Sequence, residues 1–181
     1  AERSYDLLVN KYGIKPEDIY WDPLVFPCGT GDQQYIGSGV ETIEGIRLIK
    51  KRFPKTKTVL GISNVSFGLS AGGREVLNSV FLYHCVQAGL DLAIVNAEKL
   101  ERFADISPGD RKLAENLIFN CTDAHIVEFT ERFRNVKPKN FIDETTQNLT
   151  LEERLARYIV SGSKDGLTKD LTIALENMKP L

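Results

Sequence analysis

Thr58 to Phe67, TVLGISNVSF, is the stretch on which the reading of this chain turns. Its first half is a short apolar run with β-branched residues, the signature of a strand. Its second half sets a glycine, a hydroxyl and an amide at the strand's carboxyl end, where α/β proteins bind their ligands. Chemistry is therefore expected near Asn64. A glycine-rich turn, Gly68 to Gly73, and an amphipathic helix opening at Arg74 follow at once.

The same alternation extends in both directions. Ile19 to Asp22 reads as an earlier strand stopped by Pro23; a polar, glycine-rich loop, Gly29 to Gly39, and a helix striped by Ile43, Ile46, Ile49 and Phe53 come next, and Pro54 ends that helix. Leu77, Val80, Phe81, His84 and Ala88 stripe the helix after the second strand. Leu92 to Val95 is a third strand, a continuous apolar run of the kind a parallel sheet covered on both faces requires. Strand starts near 19, 58 and 92 leave room for a helical crossover between each pair. Upstream, Tyr5, Leu8, Val9 and Tyr12 lie at helical spacing with Gly13 placed to end the helix. Downstream, helices are expected over Arg111–Asn120 and Asp123–Phe133, then a polar linker holding Pro138.

A capping box, Thr150-Leu151-Glu152-Glu153, opens a new helix. Leu151, Leu155, Tyr158 and Ile159 give its apolar stripe and Gly162 its end; Leu167, Leu171 and Leu175 stripe a partner helix. Two short helices bury little by themselves, so this hairpin should dock on something. The expected division is 1–135, a linker over 136–149, and the hairpin over 150–181.

Composition narrows the function classes. The chain has 181 residues, 42% hydrophobic and 27% charged, an ordinary globular balance. Net charge is −2 and no Lys/Arg run exceeds Lys50-Lys51-Arg52, so neither nucleic acid nor an anionic membrane surface is an expected partner. Cys28, Cys85 and Cys121 are far apart, and the two histidines, His84 and His125, sit in helical patterns, so no zinc site or disulfide framework is expected. Free thiols fit a reducing cytosol, and with no signal or membrane-length segment the reading is cytoplasmic. The only methionine is Met178, which suggests a piece cut from a longer chain.

Asp22, Asn64 and Asn96 each fall at or just past the end of one of the three strands. In a barrel those positions converge on one mouth and form a cluster. The alternative is local: Asp and Asn cap turns through their own side chains. Arg74 is open between a ligand contact and a first-turn surface charge. His84 reads as a satisfied core histidine, Tyr20 and Trp21 as packing residues, and Gly68 to Gly73 as a weak phosphate-cradle candidate.

GISNVSF, followed by REVLNSVFLYHCVQAGLDLAIVNAEKL from Arg74 to Leu100, resembles the methyltetrahydrofolate-binding barrel of cobalamin-dependent methionine synthases. DIYWDPLVFPCGTGDQQYIGSGVETIEGIRLIKK, Asp18 to Lys51, is similar to the preceding strand, loop and helix of that barrel. Beyond Thr150 the chain resembles the first helices of the cap over the corrinoid-binding domain. Dihydropteroate synthases, related to this barrel, carry a basic residue where this chain has Val65. A free-standing corrinoid iron-sulfur protein methyltransferase, the alternative reading, lacks fused cap helices.

The resemblance implies an α/β fold made of the last three βα units of a TIM (β/α)8 barrel of the pterin-binding type, followed by the helical hairpin. It implies an enzyme that moves the N5 methyl of 5-methyltetrahydrofolate to cob(I)alamin and on to homocysteine. Cobalamin would be bound by an adjoining corrinoid-binding domain of the same parent protein, and zinc only by a homocysteine module this sequence does not contain. Asn64 would be catalytic; Asp22, Gly61, Ser63, Arg74, Ile94 and Asn96 would hold the folate, with Arg74 near its aminobenzoyl-glutamate tail. A barrel of this type runs to about 250 residues, so the isolated chain is expected to be inactive, or else to be a non-catalytic or split half-barrel needing a partner chain.

Overall fold

Three apolar runs become three parallel strands, β1 (Tyr20–Trp21), β2 (Lys57–Gly61) and β3 (Leu92–Ile94), side by side in that order. A computed structural model describes residues 1–136, 149–161, 164 and 166–177. These fall in two compact units, Ala1–Lys139 and Asn140–Leu181. Most of the linker expected over 136–149 lies outside the described residues, as do Gly162 and Met178.

In the first unit each strand pair is bridged by a long helix. An N-terminal helix, α1 (Glu2–Asp6), continues as a wider turn over Leu7–Lys11 and stops at Gly13, whose φ of +68° places it in the left-handed region that glycine enters at no steric cost. Helix α2 (Ser38–Arg52) follows β1, and α3 (Ala71–Gln87) follows β2. Beyond β3 come α4 (Pro108–Phe119) and α5 (Asp123–Phe133), whose starts are fixed by Ser107 Oγ accepting from Asp110 N and Thr122 Oγ1 accepting from His125 N. The core lies between the helices and one face of the sheet: Ile43, Ile46, Leu60, Leu77, Val80, Phe81, Leu117 and Ile118 are completely buried. Each such side chain contributes about 1.5–3 kcal/mol of burial free energy.

Register decides which strand residues share a face. Val59 pairs with Leu92 and Gly61 with Ile94, while Tyr20 pairs with Lys57. Those residues occupy one face, and Thr58 and Leu60 point to the other, where both are fully buried. The first face is open: Ile94 is 68% exposed, Tyr20 53% and Leu92 48%. The expectation that β3 is covered on both sides therefore fails within the described residues. The apolar run is real, but what would cover it is not a neighbour in this unit. Tyr20 is likewise not a packing residue here, whereas Trp21 is, donating from Nε1 to Thr56 Oγ1 at 3.0 Å and lying against Phe53.

The amino-terminal ends of β2 and β3 are tied by a side chain the sequence reading passed over. Asp91 accepts from Lys50 Nζ at 2.9 Å, from Thr58 N at 2.8 Å and from Thr58 Oγ1 at 3.1 Å, and its own N–H donates to Thr58 Oγ1. Partial burial opposes ionisation of Asp91, but the bonds from Lys50 and Thr58 outweigh it and hold the carboxyl below the ordinary aspartate value.

The second unit is a hairpin of α6 (Leu151–Ser161) and α7 (Leu167–Asn177). The capping box forms as expected: Glu153 Oε2 accepts from Thr150 N at 2.8 Å, and Thr150 Oγ1 accepts from Glu153 N at 3.3 Å. The seam differs from the expected leucine stripe. Asp170 is buried between the helices, receiving both arms of the Arg154 guanidinium, at 2.9 and 3.0 Å, and the Tyr158 hydroxyl at 2.9 Å. The Arg154 bonds lower the Asp170 pKa despite that burial. Ile159 and Leu175, assigned to the stripes, are 84% and 76% exposed. Asp170 and Ala174 face the partner helix instead, because a bidentate ion pair fixes the rotation of α7 about its axis.

Candidate functional site

A one-turn helix, Ile62–Ser66, leaves the carboxyl end of β2 and carries Asn64 at its centre. Ile62 and Val65 are completely buried and anchor the turn in the core, which turns Ser63 and Asn64 outward to solvent. The loop after β1 is stitched to this turn by Cys28 N donating to Val65 O at 2.9 Å. A second close approach lies beside it: a Cβ on Gly29 would meet the Leu69 side chain at 2.6 Å. The loops following β1 and β2 are thus one packed layer.

Behind Asn64 lies a polar triangle. Ser66 is completely buried, and its hydroxyl donates to Ser63 O at 3.1 Å. Arg74, in the first turns of α3, donates from Nε to Ser66 Oγ at 3.1 Å and from Nη2 to Ser63 O at 3.3 Å. Neither open reading of Arg74 anticipated this intramolecular role. Asn64 O in turn accepts from Phe67 N at 3.2 Å, closing the turn.

Asp22 and Asn96 both make local hydrogen bonds at the starts of their loops. Asp22 Oδ1 accepts from Leu24 N at 2.9 Å, holding Leu24 at a φ of +66°, a strained conformation for a leucine. Asn96 Oδ1 accepts from Glu98 N at 3.1 Å and caps the turn Ala97–Lys99. These are the turn-capping bonds that the local reading expects, and each uses one oxygen of its side chain. Parallel pairing puts Asp22, Asn64 and Asn96 past the same end of the sheet, with a stagger. Trp21 pairs with Thr58, so Asp22 stands level with Val59, two residues or about 6.6 Å short of Gly61.

Gly61 and Ile94 are register partners at the mouth. A Cβ on Gly61 would meet only Asn64 Nδ2, at an ordinary 3.7 Å, and its φ is −82°, so nothing in the chain itself demands a glycine there. Gly72 and Gly73 are the reverse case. The helix begins at Ala71 rather than Arg74, which places both inside it, and their missing side chains let α5 and the chain just after it approach: a Cβ on Gly72 would lie 2.6 Å from Val136 O, and one on Gly73 2.9 Å from Phe129. They are packing glycines and not a phosphate cradle.

The remaining candidates settle as structural. His84 Nε2 lies 3.2 Å from Glu115 Oε1 and its ring meets Phe119 edge-on at 4.9 Å. Burial pushes the Cys28 thiol to about 11 and that of Cys85 to about 12, so both are protonated and unreactive near neutrality. A cavity of about 300 Å³ between α3, α4 and α5 is lined by Gly72, Glu75, Asp105, Asp110 and Arg132, among others, and by none of Asp22, Gly61, Ser63, Asn64, Arg74, Ile94 and Asn96. Among the described residues no group of His, Cys, Asp and Glu is placed to hold a metal ion, and no helix is long and apolar enough to cross a membrane.

Parallel strands joined by helices, with loops gathered at their carboxyl ends, define the α/β class in which the strand tips carry the ligand site. The chain belongs to the pterin binding enzyme family, whose model matches residues 1–96, a span that includes all the candidate residues from Asp22 to Asn96. Over its full length it is 38% identical to the methionine synthase of Mycobacterium tuberculosis (strain ATCC 25618 / H37Rv) and 37% identical to that of Mycobacterium leprae (strain TN). It spans 16% of the length of either relative.

Proposed function

We propose that this chain supplies the last three strands of an eight-stranded pterin-binding barrel in a cytoplasmic methionine synthase, and that Asn64 serves the step in which 5-methyltetrahydrofolate gives up its N5 methyl. The observation that carries the reading is the placement of Asn64: an outward amide on a rigid turn at the tip of β2, inside the span that matches the pterin-binding family. Two relatives named methionine synthase, aligned over the whole chain, support the particular reaction. The three-stranded sheet, with β1 and β3 at its edges and one face open, supports a larger barrel.

The chemistry explains the residue types. The pterin's cyclic amide and amino edge presents paired donors, which the Asp22 carboxylate accepts one on each oxygen, Oδ1 keeping a lone pair free beside its bond from Leu24 N. Asn96 adds a polar contact and Ser63 lines the same face, while Ile94 packs on the ring and Gly61 lets it come close. An amine anion is a poor leaving group, so N5 must gain a proton as its bond to carbon breaks. Asn64 stabilises the protonated N5 by rotating its amide to present oxygen, the proton coming from solvent through hydrogen-bonded water. Cob(I)alamin, the nucleophile that accepts the methyl, is assigned to an adjoining corrinoid-binding module, and zinc to a separate homocysteine module.

In the full-length protein, Asn64→Ala should slow single-turnover methyl transfer to cob(I)alamin by about 10²–10³-fold, with a much smaller change in folate affinity. Equal losses in rate and affinity would reduce Asn64 to a binding residue. A competing reading, a split half-barrel that works with a partner chain, is favoured by the same open sheet face. Titration of 5-methyltetrahydrofolate into the isolated chain and into the full-length protein separates the two: binding by the full-length protein with no partner chain added supports the fused barrel, binding that needs a second chain supports the split half, and tight binding by the isolated chain overturns both.

A further inference from the structure

The residue types behind Asn64 point to a device that aims it. The carbonyl of Ser63 belongs to the peptide plane that ends at the Asn64 Cα, and that plane is rigid. Ser63 O receives two hydrogen bonds, from Ser66 Oγ and from Arg74 Nη2, and Ser66 Oγ itself is gripped by Arg74 Nε. On the far side of Asn64, the next peptide plane is fixed by Phe67 N donating to Asn64 O. Both planes flanking the amide are therefore held, leaving the side-chain torsions as its main freedom.

The anchor is well chosen. Arg74 lies on α3, a 17-residue helix whose buried face includes Val76, Leu77, Val80 and Phe81. Its planar fork reaches two acceptors at once, a geometry that the single ammonium of lysine cannot reproduce. Ser66 is completely buried, so loss of its hydroxyl removes a bond that water cannot easily replace.

We propose that Arg74 and Ser66 are positioning residues that set the direction of the Asn64 amide, and that Arg74 does not act by gripping the tail of the folate. This rests on the methyl-transfer reading of Asn64 given above. Displacing a reacting group by about 1 Å costs on the order of 100-fold in rate, so the clamp should show in the rate of transfer and hardly at all in ground-state affinity.

The test uses the full-length protein with Ser66→Ala and Arg74→Lys, measuring single-turnover methyl transfer to cob(I)alamin, equilibrium binding, and the pH dependence of proton uptake at N5 in the bound complex. Two substrates are compared, 5-methyltetrahydrofolate and a 5-methyltetrahydropterin without the aminobenzoyl-glutamate tail. The clamp predicts that both variants lose about 10- to 100-fold in transfer rate, equally for the two substrates, with affinity changed less than threefold and N5 protonation moved to lower pH. A loss that appears only with the tailed substrate, or mainly in affinity, overturns the proposal and returns Arg74 to the tail. With Asn64→Ala impaired and Ser66→Ala and Arg74→Lys both unimpaired, the clamp fails while the role of Asn64 stands. A wild-type protein that binds neither pterin overturns both.

Discussion

The two ends of the same three strands are built on opposite principles. At the amino-terminal end, Asp91, Lys50 and Thr58 spend their polar groups on one another. At the carboxyl end, Ser63 and Asn64 face solvent, and Leu24 is held in a conformation that leucine avoids. A polar group that has found all its partners inside the chain contributes stability; one held outward on a rigid support is available to something else. Strain and exposure at one rim, set against closure at the other, agree with the proposal that the ligand site lies at the carboxyl end.

The contrast can be broken most severely at Asp91. Asp91→Ala leaves the buried Thr58 N–H without its acceptor, a loss of about 1–3 kcal/mol, to be read as faster hydrogen exchange of β2 amides in the full-length protein with folate affinity unchanged. Because its folded pKa lies below the ordinary aspartate value, the stabilisation from Asp91 is present above that ordinary value and disappears as pH falls through the folded one. The acid limb of the exchange profile should flatten in the variant; an unchanged limb would mean that another group carries the linkage.

Gly61→Ala sharpens the contrast from the other side. A Cβ there finds only an ordinary contact, so stability should move by less than about 0.5 kcal/mol, while folate affinity falls by roughly 10-fold if the ring approaches as proposed, a methyl-sized clash being worth about 1–3 kcal/mol. Equal indifference in stability and binding would place the pterin elsewhere. The smallest effect concerns the thiols: Cys28 and Cys85 should resist alkylation near neutral pH in the folded protein, and rapid labelling of either would show that the core beneath the loop layer opens.

What could be foreseen was what is encoded locally. Gly13, the Thr150–Glu153 box and the bounds of α5 come from residues within one or two helical turns, where capping chemistry is fixed by spacing. The candidate residues at the strand tips were legible for the same reason, since a strand's end is marked by the turn residues after it. Hidden were contacts between residues remote in sequence. Asp91 meets Thr58 and Lys50 from another strand and helix, and Arg154 meets Asp170 across the hairpin. Gly72 and Gly73 looked like a loop because glycine is ambiguous until its neighbour is known, and here the neighbour is Phe129 and Val136. Leu92 and Ile94 showed an apolar strand but not its missing cover.

The two packing glycines also carry a liability. They sit immediately before Arg74 in the chain, so the seam that lets α5 rest on α3 is the foundation from which the guanidinium reaches toward Ser63. A single extra carbon at position 73 would press on Phe129 and tilt that foundation, and under the clamp proposed above an assay would register the fault as slow chemistry in a protein that still folds.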